Sequence, residues 1–226
     1  MTRLGEIDPN ELDLASRYKL LIGAVAPRPI AFVSTVSRAG HENIAPYSFF
    51  TACGSDPMTL LFCPANKADG SMKDSMRNAL PRDEGGTGCF VVNTASEPYI
   101  RQVAASAEDL PPGESEFEFT GLSTEPSAKV EAPRLAEAPV SFECETTLVL
   151  RTNQDNPETP NAGNIVMGRV VYVRVADGVV NERFHTDPDK LAAIGRMGGM
   201  TYCTTRDRFD LPFGRQALDA LPHNRH

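Results

Sequence analysis

The chain has 226 residues, 41% of them apolar, and a formal net charge of −8. That length allows one large domain or two small ones at roughly 100–200 residues each, and the acidic balance argues against a nucleic-acid partner, whose phosphates call for a basic face. No apolar run approaches the ~18 residues of a membrane helix, and Met1-Thr2-Arg3-Leu4-Gly5-Glu6 lacks the apolar centre of a secretory leader, so the sequence reads as cytoplasmic with no membrane partner.

Charge is uneven along the chain. Residues 1–80 are neutral, residues 81–146 carry a net −9 and residues 147–226 a net +1. Like-charge repulsion makes the middle third a poor host for phosphate, so an anionic ligand is expected against the first or last third. The five cysteines (Cys53, Cys63, Cys89, Cys144, Cys203) are odd in number and match no zinc-ligand spacing. They read as buried small hydrophobes, and no metal site is expected.

Leu14, Tyr18, Leu21 and Ile22 recur at helical spacing and predict a short amphipathic helix stopped by Gly23. Pro27-Arg28-Pro29 forces extended backbone. Ile30–Val36 is a strand that turns at Arg38–His41 and returns through Asn43-Ile44-Ala45. Phe49–Cys53 and Thr59–Cys63 are two further strands divided by Asp56-Pro57. Ser71–Leu80 reads as a helix, Cys89–Thr94 as a buried strand, and Glu97–Ala107 as a second helix, followed by an acidic loop over 108–116. From Val140 to Leu150 apolar residues alternate with Ser141, Glu143 and Glu145, which predicts a strand with one wet face. Residues 151–164 are a loop. Ile165–Val175 is apolar on nearly both faces, hence central to a sheet, and Gly168 within it marks a bulge or a close backbone approach. Short strands, hairpin turns and few helices favour an antiparallel barrel over a parallel α/β sheet. The usual phosphate-loop, dinucleotide, zinc-protease and hydrolase signatures are absent from the sequence.

Three segments hold the chemistry-bearing residues. In the first, Arg28 is pinned between two prolines ahead of Ser34 and Thr35. In the second, Asn43-Ile44-Ala45-Pro46-Tyr47-Ser48-Phe49, Pro46 removes a donor and is expected to break the strand, freeing backbone groups for the polar edge of a flat heterocycle. In the third, Ser71 and Asp74 form a capping-box pattern, and a helix start with Lys73 and Ser75 beside it is a ready anion site. Each segment also has a purely structural reading: a solvated arginine, an aromatic strand end packed in a core, and a helix start already occupied by Asp74.

The run Tyr18-Lys19-Leu20-Leu21, then PRPIAFVST, Gly40 with NIAPYSFF, Asp56-Pro57, Lys73-Asp74-Ser75 with Asn78, and Phe90-Val91-Val92-Asn93 resembles the flavin reductase-like, FMN-binding split-barrel family. The likeness continues through Glu116-Phe117, Gly121-Leu122, Phe142-Glu143-Cys144 and Gly168-Arg169-Val170. It implies a mainly β, six-stranded antiparallel Greek-key split barrel with peripheral α-helices. The domain would be a single one over 1–226, with its core at about 18–205 and an extension at 206–226. It further implies a homodimer with one FMN per subunit near the interface. By motif position, Arg28, Ser34 and Thr35 would line the flavin pocket, Asn43, Ala45, Ser48 and Phe49 would hold the isoalloxazine and ribityl chain, and Lys73, Asp74, Ser75 and Asn78 would serve the phosphate. Where the family often carries a late strand histidine, this sequence has Arg174. Arg196, in Ile194–Tyr202, and His185 are the candidates for a catalytic role; His41, His223 and His226 are weaker. The resemblance implies NAD(P)H-dependent flavin reduction, with electrons passed to free flavin, a metal chelate or a partner oxygenase. A non-enzymatic FMN electron carrier of the flavoredoxin kind is the alternative, and a split barrel holding pyridoxal phosphate or haem is a third reading.

Overall fold

The structure is a computed structural model that describes residues 5–111 and 114–219. Met1–Leu4, His223 and His226 lie outside the described residues. Asp13 caps the first helix, α1 (Leu14–Ala24), by accepting from the Ser16 amide. Gly23 does not stop this helix, which runs one residue further. Of the four residues that predicted an apolar face, only Ile22 is buried; Leu14, Tyr18 and Leu21 are about half exposed.

Strand β1 (Arg28–Pro29) leads into the hairpin of β2 (Ala31–Val36) and β3 (Glu42–Tyr47), turned at Gly40 with φ 85°. A second hairpin joins β4 (Phe50–Ser55) to β5 (Met58–Phe62). After α2 (Asp74–Ala79) come β6 (Cys89–Thr94), α3 (Ile100–Ala105) and α4 (Glu116–Thr120). A small ladder of β7 (Thr124–Glu125) with β8 (Arg134–Leu135) precedes the long hairpin of β9 (Val140–Arg151) and β10 (Asn164–Val175). The chain then forms α5 (Pro188–Leu191), β11 (Ile194–Arg196), β12 (Tyr202–Thr204) and α6 (Gln216–Asp219).

Seven strands make the main sheet, in the order β3-β2-β6-β9-β10-β5-β4, every pair antiparallel. The count is seven where the resemblance implies six. The first and last strands of this order, β3 and β4, are joined by Ser48 and Phe49 alone. Three peptide steps span at most about 11 Å, so the sheet must curl until its two edges approach. A barrel follows from that short link.

Alternation along β2 sorts the cores. Ala31 and Val33 point into the barrel with Tyr47, Phe62, Phe90, Cys144 and Val166. Ile30 and Phe32 point outward, under Tyr99, Val103, Phe117 and Leu122 of the helical layer. Gly168 is required by this packing: a Cβ there would stand 2.6 Å from the Phe90 ring and 3.0 Å from Cys144 Cβ, and the ladder shifts register at this point.

Four expectations need correction. Ser141 and Glu143 are fully buried, so the wet face of β9 is dry at its start. The Glu143 carboxylate accepts from the amides of Ala128 (2.8 Å) and Lys129 (2.6 Å), which fold over it. The second half of β10 is not central: β5 pairs with it only over Val166–Arg169, leaving Tyr172, Val173 and Val175 exposed. Cys89 and Cys144 are buried, but Cys53 is exposed and Cys63 and Cys203 are intermediate. Pro46 does not break β3. It stays in register opposite Phe32, at a position where the amide would face away from β2 and none is needed. Among the described residues no helix is long and apolar enough to cross a membrane.

Candidate functional site

The exposed edge of β3 separates two groups of predicted site residues. At its start, Thr35, Asn43, Ser75 and Asn78 meet in one hydrogen-bonded network. Ser75 Oγ (2.7 Å) and Thr35 Oγ1 (3.2 Å) donate to Asn43 Oδ1, and Asn78 Nδ2 donates to Thr35 Oγ1 (3.1 Å). Asn43 Nδ2 donates in turn to both carboxylate oxygens of Glu116 (2.9 and 2.8 Å), and the Ile44 amide adds a third donor at 3.2 Å. Burial pushes the Glu116 carboxyl above its ordinary value, against the pull of these donors and of Lys67.

Beside this network, α2 opens without a side-chain cap. The capping box expected of Ser71 and Asp74 does not form. Ser71 turns back onto Asp69 through its amide and hydroxyl, while Asp74 pairs with Lys67 (3.4 Å) and Arg77. The first-turn amides therefore lack acceptors. Lys73, the half-buried N-cap residue, has no side-chain partner among the described residues, and it lines a recess of about 70 Å³ with Ala45, Pro46, Tyr47 and Ser75. The Tyr47 hydroxyl is buried and, among the described residues, without a hydrogen-bond acceptor; burial pushes it up to about 12, against the pull of the Ser75 hydroxyl.

The recess opens onto a cavity of about 1140 Å³, somewhat larger than the roughly 300–1,000 Å³ of small-molecule sites. Asn43, Lys67, Asp74 and Glu116 border both. Against the expectation from charge distribution, the acidic middle third does reach this cleft, through Asp109, Glu114, Glu116 and Glu118. Glu116 is the residue that motif reading did not assign to the site. The signal was its place at the end of an acidic loop, but Asn43, its partner, lies 73 residues away.

At the far end of β3, Ser48 and Phe49 meet Arg28, whose guanidinium carbon is 5.8 Å from the Phe49 ring centre. Arg28 is buried and heavily engaged. It donates to the carbonyls of Ile22 (2.5 Å), Val25 (2.7 Å) and Met197 (3.0 Å), and to Ser48 Oγ (3.2 Å). It locks the end of α1 and the Met197 loop to the barrel. Arg196 lies opposite Arg28 in the β1–β11 pair, over the Tyr202 ring at 4.3 Å and donating to the Gly199 carbonyl. The glycines of this segment approach protein rather than open space: a Cβ on Gly195 would stand 2.9 Å from Cys203 Sγ, and one on Gly198 would stand 3.4 Å from Gly23 Cα.

Two predicted residues are elsewhere. Ser34 faces outward, donating to the Pro133 carbonyl (2.5 Å) and accepting from Asn93 (3.0 Å). His185 is exposed in a turn where its carbonyl accepts from the Asn181 amide, and it borders neither part of the cleft. Arg174 donates to the Ala138 carbonyl (2.6 Å).

Comparison with known proteins agrees with this architecture. The chain is 36% identical to an uncharacterised protein of Aquifex aeolicus over 192 residues, 85% of this chain and 91% of that one. The nitrilotriacetate monooxygenase component B of Bacillus cereus superposes with a TM-score of 0.83 at 32% identity, covering 93% of this chain and all of the other. The 2-nitrobenzoate 2-nitroreductase NbaA of Pseudomonas fluorescens superposes with a TM-score of 0.79 at 27% identity, over 93% and 97% of the two chains. Residues 23–203 match the family model of the flavin reductase like domain, and the chain belongs to that family.

Proposed function

We propose that the cleft along β3 binds FMN and that the protein is an NAD(P)H-dependent flavin reductase. The observation that carries this reading is the pairing of an unpartnered Lys73 ammonium with the uncapped start of α2, beside Ser75 and at the end of an exposed strand edge. A cation and free amides side by side suit a phosphomonoester. These residues fit the phosphate end of FMN. The β3 edge, with Ala45 and the carbonyl of Pro46, suits the ribityl chain, and Ser48 and Phe49 suit the ring.

Bound FMN would supply the redox chemistry, taking a hydride from a nicotinamide and passing electrons onward. The chain's own residues bind and orient. Lys73 and the α2 amides hold the phosphate. Thr35 and Asn78 hold the Asn43 carboxamide in place from behind. Arg28 acts through structure, fixing Ser48 and the Met197 loop where the ring would lie. Arg196, with most of its donors uncommitted, places a positive charge at that end, where it would favour developing negative charge. None of these roles needs a protein acid or base, in keeping with the position of His185 outside the cleft.

The acceptor is free flavin, a metal chelate or a partner oxygenase. The name of the Bacillus cereus neighbour, a monooxygenase component, supports the last of these for a chain 32% identical to it. The working unit is a homodimer in the cytoplasm. A second reading, a flavoredoxin-like electron carrier reduced by another protein, is favoured by Arg174, which stands in the place of a strand histidine and is tied to Ala138. Anaerobic addition of NADH or NADPH to the FMN-loaded protein separates the two. Bleaching of the flavin band by either nucleotide within the time of a turnover supports the reductase; a band that neither nucleotide bleaches contradicts it and favours the carrier.

A further inference from the structure

We propose that Glu116 is a positioning residue of the flavin site, acting on the ligand through Asn43. The proposal rests on the reading of the β3 cleft as the FMN site. Its basis is the direction of the hydrogen bonds. A carboxylate can only accept, so Glu116, receiving both bonds from Asn43 Nδ2 and one from the Ile44 amide, leaves the Asn43 carboxamide one orientation. Asn43 Oδ1 must then face Ser75 and Thr35, and both hydroxyls spend their protons on it. Ser75, the cleft residue beside Lys73, thereby has its hydroxyl proton committed to Asn43, and its place is fixed relative to the α2 amides. The Ile44 bond also ties the outer edge of β3 to α4, so the edge and the start of α2 are held by the same carboxylate. Glu116 is itself buried at 9% exposure; it borders both parts of the cleft, but both of its oxygens are engaged by Asn43 and Ile44.

Glu116→Gln keeps the shape and reverses this order. With its oxygen kept under the Ile44 amide, its amide nitrogen faces Asn43 Nδ2, donor against donor, and the relief is a half-turn of the Asn43 carboxamide that presents Nδ2 to Ser75 and Thr35. FMN affinity of the full chain, measured by quenching of flavin fluorescence, is expected to fall about tenfold in Glu116→Gln, the scale of a misoriented buried polar pair. In an Asn43→Ala background the same substitution is expected to cost little more, because the group it acts through is gone. A role in folding alone gives the same loss in both backgrounds and overturns the proposal, as does wild-type affinity in Glu116→Gln. Glu116→Asp, which keeps the charge but withdraws it by one methylene, serves if the glutamine variant does not fold. It is expected to show a smaller loss that again depends on Asn43; no such dependence overturns the proposal. If Lys73→Ala loses FMN while both Glu116 variants retain it, the positioning role fails and the flavin reading stands. If the wild type binds no FMN, both fail.

Discussion

Arg28 and Lys73 are both cations that the sequence reading assigns to the flavin site, and the structure divides them by what else they touch. Three carbonyls and a hydroxyl already engage Arg28 in a buried setting, so its removal leaves acceptors stranded. Arg28→Ala is expected to cost about 3 kcal/mol of stability, the upper range for a bond to a charged group, seen as a lowered midpoint in urea. Lys73 has no such obligations. Lys73→Ala is expected to leave stability unchanged and weaken FMN binding by about 1.5–3 kcal/mol, measured by fluorescence titration; unchanged affinity removes Lys73 from the site. Tyr47 gives a pH test. Its folded hydroxyl titrates at about 12 against 10.0 in the open, so between those values the native state holds a proton that the unfolded chain has lost. Stability therefore falls as pH rises through this window, by about 2–3 kcal/mol for a shift of that size. Tyr47→Phe is expected to flatten the alkaline decline in part, leaving the share from Tyr99, whose hydroxyl burial also raises. An unchanged decline contradicts the assignment.

At the scale of elements, the strands were legible because alternation and β-branched runs report burial directly. β2 and β6 fall where the sequence put them, within a residue, while β3 runs two residues further, through Pro46. What the sequence hid was whatever depends on a distant partner. Glu143 follows the polar half of an alternating pattern, yet segment 128–134 folds over it and supplies its donors. α1 has helical apolar spacing, but among the described residues nothing covers Leu14, Tyr18 and Leu21. The capping box at Ser71 was a sound local pattern defeated by Asp69, two residues before it. Within the site, Thr35, Asn43, Ser75 and Asn78, which the resemblance assigned to three different parts of the flavin, meet in one network, and the outward turn of Ser34 is set by one residue of strand parity. The glycine expectation in β10 has a direct check. Gly168→Ala would press a methyl into the Phe90 ring and the Cys144 side chain, and overpacking of this kind costs about 1–3 kcal/mol. A lowered thermal midpoint, restored in part by Phe90→Leu, is the expected outcome; an unchanged midpoint contradicts the packing described for the barrel interior.

For the whole molecule, the curled sheet and the helical layer set the outer edge of β3 beside the cleft, and α1 presents its apolar stripe nearby. Arg28 links the two by holding the last turn of α1 against Ser48, so a second copy covering Leu14, Tyr18 and Leu21 would also border the ring end of the cleft. Light scattering is expected to give twice the chain mass for the wild type and the single chain mass for Tyr18→Glu combined with Leu21→Glu; a dimer that survives both changes places the contact elsewhere. The claim on which the rest depends is that the β3 cleft receives FMN by its phosphate. Equilibrium titration of the wild type and Lys73→Ala with FMN and with riboflavin tests it most directly. The expected result is one FMN per chain, bound more tightly than riboflavin by the wild type, with that preference lost in the variant. No binding of FMN at millimolar concentration, or equal affinity for the two flavins in the wild type, would contradict it.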